Sequence, residues 1–135
     1  MPQKSFTVYV VDDDDSIRRA LQRLLRSVGY QALTFESAEE FLDSASCSVE
    51  GCLVLDIRLP GMTGLELQEK LVSRGAKHSV IFMTAHENPQ WRERAKKSGA
   101  IAYLRKPFGD QSLLDAIRFA CEEGEPQGTQ SERLD

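Results

Sequence analysis

Carboxylate, hydroxyl and ammonium side chains stand at four points of the chain, each directly after a short apolar run. The acidic group 12–15 follows FTVYVV, Asp56 follows LVL, Thr84 follows VIFM, and Lys106 follows AYLR. Carboxylates that crowd together at neutral pH repel one another and need a cation, and an all-oxygen ligand set suits Mg²⁺. Phosphate oxygens bind such an ion and a lysine, and a carboxylate that faces them can attack phosphorus. These residue types therefore indicate phosphoryl transfer to an aspartate, provided that the fold brings them together.

The elements that must position these residues alternate along the chain. Apolar runs rich in β-branched residues predict five strands, over 6–11, 30–35, 51–55, 79–83 and 101–104. Helical spacing of apolar residues predicts a first helix that ends at Gly29. Ser37 caps the second helix, with Glu40 three positions later as a capping box. Further helices are predicted over 64–74, 88–98 and 109–123.

Strand–helix alternation with almost continuously apolar strands predicts an α/β fold, in which helices cover both faces of a parallel sheet. Five strands with right-handed crossovers favour an open, doubly wound sheet, since an eightfold barrel needs a much longer chain. Ligands of such sheets bind beyond the carboxyl ends of the strands. We therefore predict that this edge carries the acidic group 12–15 together with Asp56, Thr84 and Lys106.

The four consecutive aspartates do not all carry the same prediction. Asp14 and Asp15 stand where the first helix begins, and acids there usually cap the helix or interact with its dipole. Asp12 and Asp13 end a buried strand instead, and Asp56 follows another one. An unpaired carboxylate at such a place is costly, which favours a bound cation for these three.

Composition limits the function classes. The 135 residues fit one domain, and the net charge of -4 argues against a chain-wide nucleic-acid surface. The excess acid lies from Glu122 onward, which predicts a domain over 1–121 and a polar acidic tail or linker over 122–135. No apolar run approaches the length of a membrane span, and the start does not resemble a signal peptide. A cytoplasmic location with no membrane contact is therefore expected.

The motifs resemble those of one family. The segments VYVVDDD (8–14), LVLDIRLPGMTG (53–64), VIFMTA (80–85) and AYLRKPF (102–108) occur in order at the predicted strand ends. Together they resemble the receiver domain of bacterial two-component response regulators, the CheY-like family, over about residues 6–121. The resemblance implies a (βα)5 flavodoxin-like fold with strand order 2-1-3-4-5. It also implies a signalling domain rather than an enzyme, although such a domain takes part in its own phosphorylation and dephosphorylation.

The resemblance implies a role for each matching residue at the metal. Asp56 resembles the phosphoacceptor, which also contacts Mg²⁺. Asp13 resembles the direct Mg²⁺ ligand, Asp12 would act through metal-bound water, and the Arg58 carbonyl would supply a backbone ligand.

The remaining matches concern the phosphoryl group and the switch. Thr84 resembles the hydroxyl that bonds the phosphoryl group, and Lys106 the lysine that anchors it. Tyr103 matches the aromatic residue whose rotamer is coupled to that threonine. The bond between Lys106 and Pro107 resembles a cis turn that directs the lysine at the phosphate.

The expected function is a switch that a sensor histidine kinase sets by phosphorylating Asp56. The signal would leave through the fourth helix, fifth strand and fifth helix, and self-association is expected on phosphorylation. The segment 56–64 and the Lys-Pro-Phe ending resemble regulators of the FixJ type, which join a receiver to a DNA-binding domain. We expect the chain to be the receiver portion of such a transcription factor, with DNA contacted only through a C-terminal domain absent from this chain. The alternative is a complete single-domain receiver that acts by protein–protein contact.

Two functions of other classes fit the same architecture less well. A nucleotide or flavin binder needs a donor-rich loop after the first strand. Here that loop is acidic, and neither GxxxxGKS nor GxGxxG occurs. A phosphatase of the DxD type would need an acid two positions after Asp56, where the sequence has Arg58.

Overall fold

Each predicted apolar run forms a strand in the computed structural model, which describes residues 6–123. The strands are β1 (Thr7–Val11), β2 (Gln31–Phe35), β3 (Cys52–Asp56), β4 (Ser79–Thr84) and β5 (Ala102–Arg105). The helices are α1 (Asp15–Ser27), α2 (Ala38–Asp43), α3 (Gly64–Ser73), α4 (Pro89–Lys97) and α5 (Asp110–Glu123), with a short 3₁₀ helix over Ala45–Ser48. Element bounds agree with the prediction to within one or two residues.

The five strands form one parallel sheet in the order β2-β1-β3-β4-β5, which confirms the predicted topology. The register aligns the strand ends, because Val11 pairs with Leu55 and Asp56 pairs with Met83. Thr84 pairs with Arg105 in the same way. The residues that follow β1, β3, β4 and β5 are therefore level with one another at the carboxyl edge.

Alternate strand residues enter two separate core layers. One layer packs α2, α3 and α4 against the sheet and contains the aromatic group Tyr9, Phe35 and Phe41. The other packs α1 and α5 against the opposite face around Leu25 and Ile117. Because β1, β3 and the greater part of β4 are buried on both faces, the sheet is a rigid support for its edge.

Local sequence signals set the helix ends. Asp14 is the N-cap of α1, and its carboxylate accepts from the backbone N–H groups of Ser16 and Ile17. Gly29 adopts a φ of 100° after α1, a conformation that favours glycine. The prediction of a capping box at Ser37 is half right. Ser37 accepts from the Glu40 N–H, but the Glu40 carboxylate reaches one residue further and accepts from the Glu36 N–H at 2.6 Å.

The predicted acidic tail lies mostly outside the described residues. α5 runs to Glu123, so the first two residues of the predicted segment 122–135 are helical. The domain boundary stays a prediction. None of the helices within residues 6–123 is long and apolar enough to cross a membrane.

Candidate functional site

Three aspartates converge at the carboxyl edge of the central strands. Asp12 and Asp13 follow β1, and Asp56 ends β3; one carboxylate oxygen of each lies within 4.8 Å of those of the other two. Asp12 is fully buried and Asp56 is 6% exposed. Asp13 is exposed, which differs from the expectation that both acids after β1 are as buried as the strand. The site therefore has a buried floor of two carboxylates and a third at its solvent side.

Lys106 joins the two buried carboxylates. Its Nζ lies 2.9 Å from Asp12 Oδ2 and 3.3 Å from Asp56 Oδ2. The preceding strand ends at Arg105, and the bond from Lys106 to Pro107 is cis as predicted. Burial opposes the charged form of the lysine, but the hydrogen bond to Asp12 and the charge of Asp56 outweigh it and raise the pKa of Lys106. The lysine is therefore a fixed positive charge at neutral pH.

Asp56 is held in an environment that disfavours its charge. Burial, and next the negative charge of Asp12, raise its pKa from 3.8 to about 6. Lys106 and the backbone N–H of Arg58, which lies 3.3 Å from Asp56 Oδ1, act in the opposite direction without offsetting this. The carboxylate is thus ionised at neutral pH but carries uncompensated electrostatic energy.

The donor set fits Mg²⁺. Three carboxylates supply oxygen ligands without sulfur or nitrogen, which suits a hard cation. Burial and the negative charge of Asp12 raise the pKa of Asp56, and a bound cation would relieve the cost of its charged form. Asp12, Asp13 and Asp56 are therefore the residues that would hold the ion. The role of the Arg58 carbonyl as a further ligand stays a prediction.

Thr84 and Tyr103 lie beside this group, on β4 and β5. Thr84 is fully buried, and its Oγ1 accepts from the His86 N–H at 3.1 Å and donates to the His86 carbonyl at 3.4 Å. The Tyr103 ring is also buried, with the guanidinium of Arg92 4.6 Å from its centroid. The Tyr103 hydroxyl is buried without a hydrogen-bond partner among the described residues.

A side-chain bridge crosses the mouth of the site. Arg58 Nη1 lies 2.9 Å from His86 Nε2, which joins the loop after β3 to the loop after β4. The His86 ring in turn meets the Trp91 ring edge-on at 6.5 Å between centroids. A cleft lined by Asp13, Arg58, Thr63 and Trp91 runs beside this bridge.

Two residues that support the site do not belong to any of the sequence motifs. Arg18 is largely buried and donates from Nη1 to the Asp12 carbonyl at 2.7 Å, while its Nη2 pairs with Asp15. The spacing of Asp15 and Arg18 on one helix could have signalled this contact. Glu39 of α2 accepts from the Met62 N–H at 2.8 Å, and no local pattern predicts that contact.

Replacing Asp56 with Asn should stabilise the metal-free protein at neutral pH. Between pH 3.8 and about 6 the native state retains a proton that the unfolded chain has released, so stability falls as the pH rises through this window. Above it the cost of the ionised Asp56 is constant, on the order of 2–3 kcal/mol, and a neutral amide does not have it. Urea denaturation in EDTA should show that Asp56→Asn has a larger free energy of unfolding than the wild type. The difference should grow across this pH window and then level off.

Excess Mg²⁺ serves as the control for that measurement. Because a ligand stabilises the state that binds it, the ion should raise the unfolding free energy of the wild type more than that of Asp56→Asn. An advantage of the variant that did not depend on pH would contradict the assignment of the cost to ionisation.

Comparisons with known proteins identify the family of the chain. The model of the response regulator receiver domain family matches residues 8–118. Nodulation protein W of Bradyrhizobium diazoefficiens is 48% identical over 115 residues, which cover 85% of this chain and 51% of that protein. The transcriptional regulatory protein FixJ of Azorhizobium caulinodans is 41% identical over 132 residues, which cover 98% of this chain and 62% of that protein. The chain thus spans about half to three fifths of the length of these relatives.

Solved structures show the same fold. The crystal structure of FixJ-N aligns with a TM-score of 0.80 at 35% identity and covers 87% of this chain and 94% of its own. A CheY-like receiver domain protein from Methanospirillum hungatei aligns with a TM-score of 0.80 at 28% identity, over 95% of this chain and 98% of its own. The predicted resemblance to CheY-like and FixJ-type proteins is confirmed. The chain belongs to the response regulator receiver domain family.

Proposed function

We propose that this chain accepts a phosphoryl group on Asp56 from a sensor histidine kinase, in a reaction that depends on Mg²⁺. One observation carries the proposal: a buried, ionisable carboxylate at the end of the central strand, between a lysine ammonium and two further carboxylates. A structural ion pair alone would need neither Asp13 nor the raised pKa of Asp56.

The residues of the chain divide the chemistry among them. An Asp56 oxygen attacks phosphorus, and a P–O bond forms as the P–N bond to the kinase histidine breaks, with the electron pair passing to the imidazole nitrogen. Lys106 is already directed at Asp56 Oδ2 and can bind an oxygen of the incoming group. Thr84 ends the neighbouring strand β4, and its hydroxyl would bond another oxygen of the phosphoryl group. Bound Mg²⁺ would neutralise charge on the transferred phosphoryl group.

The Arg58–His86 bridge is suited to set how long the phosphoryl group stays. Hydrolysis needs water to reach the phosphorus atom, and the bridge joins the two loops beside its path. The competing interpretation is ordinary loop decoration, which would leave hydrolysis unaffected. The short contact and the Trp91 ring packed against His86 favour the bridge as a barrier.

The output surface of α4, β5 and α5 depends on Tyr103. Its ring is already turned inward here, and its buried hydroxyl has no hydrogen-bond partner within residues 6–123, which is unfavourable. The inward position of the ring loses a hydrogen bond of the hydroxyl, whereas the outward position exposes the ring to water. A phosphoryl group that recruits Thr84 can shift the populations of these two states. The basic side chains of this surface are partly neutralised, because Arg94 forms a bidentate pair with Glu69 and Arg105 pairs with Glu87.

The wider role follows from the relatives. Proteins such as FixJ and the regulator TdiR of Thauera aromatica bear the name of transcriptional regulatory proteins. We propose that the chain controls transcription in the cytoplasm through a separate DNA-binding domain. The second candidate is output by direct protein–protein contact of this domain, through the surface of α4, β5 and α5.

Asp56→Asn should abolish labelling by acetyl phosphate or by a cognate kinase, because the amide is not a nucleophile. Asp13→Ala should weaken Mg²⁺ binding and slow labelling, since it removes a carboxylate from the cluster. The control is Asp43→Asn, which removes an exposed acid at the end of α2 and should leave both measurements unchanged. If Asp56→Asn took up phosphate at the stoichiometry of the wild type, the assignment would be ruled out.

Replacing Arg58 and His86 together with Ala should shorten the lifetime of the aspartyl phosphate severalfold, on the order of 1 kcal/mol of barrier. The reason is that water reaches the phosphorus atom more easily without the bridge. Release of phosphate from the labelled protein measures the rate. Each single variant should have nearly the full effect, since either removes the whole contact; an unchanged rate in the double variant would refute the barrier.

Phosphorylation should convert a mostly monomeric protein into a self-associating one through α4, β5 and α5. Sedimentation with and without beryllofluoride and Mg²⁺ measures the mass, and Asp56→Asn should not respond. If the mass stays constant and the environment of Tyr103 does not change, this surface is not the output.

A further inference from the structure

Glu39 ties α2 to the loop that leaves the site. Its carboxylate Oε2 accepts from the backbone N–H of Met62 at 2.8 Å, in the loop 57–63 that begins directly after Asp56. That hydrogen bond is the main reason why the pKa of Glu39 is lowered. A carboxylate that accepts from a backbone N–H makes one of the stronger hydrogen bonds available to a side chain.

The loop backbone is shaped to accept this carboxylate. Gly61 precedes Met62 and has a φ of +75°, and a Cβ built on it would lie 2.7 Å from Glu39 Oε2. Any larger residue would therefore both strain the backbone and displace the carboxylate. Two positions that are distant in the sequence, a glycine without a side chain and an acid of α2, are thus fitted to each other.

The loop transmits its conformation to the site because its two ends are fixed. The Ile57 N–H donates to the Met83 carbonyl at 3.0 Å, and the Gly64 N–H donates to the Ile57 carbonyl at 2.9 Å. A Cβ on Gly64 would collide with the carbonyl oxygen of Asp56. With the ends held, a change at Met62 must be absorbed by the backbone between them, which includes Arg58.

A change in the backbone of this loop would affect the reaction through Arg58. Its N–H already contacts Asp56 Oδ1, and its carbonyl is the predicted backbone ligand of the metal. Groups that hold a ligand in place without touching the ion commonly change metal affinity by 10–100-fold. Glu39 acts one step further away, because it holds the N–H of Met62, four residues after Arg58 in the same loop.

We propose that Glu39 is a positioning residue: by holding the Met62 N–H, it fixes the loop 57–63 so that the backbone of Arg58 is set for Mg²⁺. This rests on the proposed function of the site. The interpretation to be excluded is that Glu39 only contributes a negative charge near the start of α2.

The chain offers a matched control in the next residue. Glu40 stands in the same turn of α2, and its carboxylate accepts from the Glu36 N–H at 2.6 Å without contacting the loop. Glu40→Gln and Glu39→Gln change the net charge equally. Glu39→Gln keeps an oxygen that can accept from Met62, whereas Glu39→Ala does not.

The test is a Mg²⁺ titration of the whole chain, followed by the fluorescence of Trp91, the single tryptophan, which lines the cleft with Asp13 and Arg58. Glu39→Ala should weaken Mg²⁺ binding by about tenfold. Glu39→Gln should recover most of the affinity, and Glu40→Gln should match the wild type. Labelling of Glu39→Ala by acetyl phosphate should be slow at low Mg²⁺ and normal at saturating Mg²⁺, because the variant affects the ion's affinity and not the attack.

The outcomes separate this inference from the proposed function. If the wild type binds no Mg²⁺ and takes no label, the proposed function fails first. If the wild type does both and Glu39→Ala does the same with equal affinity, the positioning role is overturned. If Glu39→Gln and Glu40→Gln lose affinity as Glu39→Ala does, the effect is one of charge and the positioning role is likewise overturned.

Discussion

Two buried carboxylates share one ammonium group at the end of the central strands, and this arrangement governs the rest of the molecule. Asp12 and Asp56 both lie within hydrogen-bond reach of Lys106 Nζ, so one positive charge faces two negative ones in a place where water cannot screen them. A protein selected for stability alone would gain by replacing such a group with apolar residues. The excess negative charge of this group can instead bind a cation, and with it an incoming phosphoryl group.

The fold tolerates the unfavourable free energy of these buried charges because the rest of its core is apolar and well packed. The central strands are buried on both faces between two apolar layers, and their register aligns four strand ends at one edge. Such a support resists relaxation, since close-packed interiors do not yield easily to local strain. The carboxylates therefore cannot separate or reach water, and burial, together with the negative charge of Asp12, raises the pKa of Asp56.

Around this rigid floor, the loops are set by single side-chain contacts. The loop after β3 is held to α2 by Glu39 and to the loop after β4 by the contact between Arg58 and His86. α4 is attached to α3 through the pair of Arg94 and Glu69. Contacts of this kind contribute little to global stability when they are exposed, yet each fixes one boundary of the site. The site thus joins a floor determined by the core to a rim determined by individual polar side chains.

The sequence by itself determined the class of fold and the motif residues that meet at one edge of the sheet. Apolar runs, helix caps such as Asp14, and the order of the motifs are local patterns, and all strands of a parallel sheet end at the same edge. Tertiary structure alone decided how those residues differ from one another. Asp12 and Asp13 are neighbours in the sequence, but the turn into α1 buries the first and exposes the second. The contacts of Lys106 with Asp12, of Arg58 with His86, and of Glu39 with Met62 join positions 94, 28 and 23 apart. Contacts at such separations leave no periodic trace, because each depends on where two otherwise independent elements meet in the folded chain.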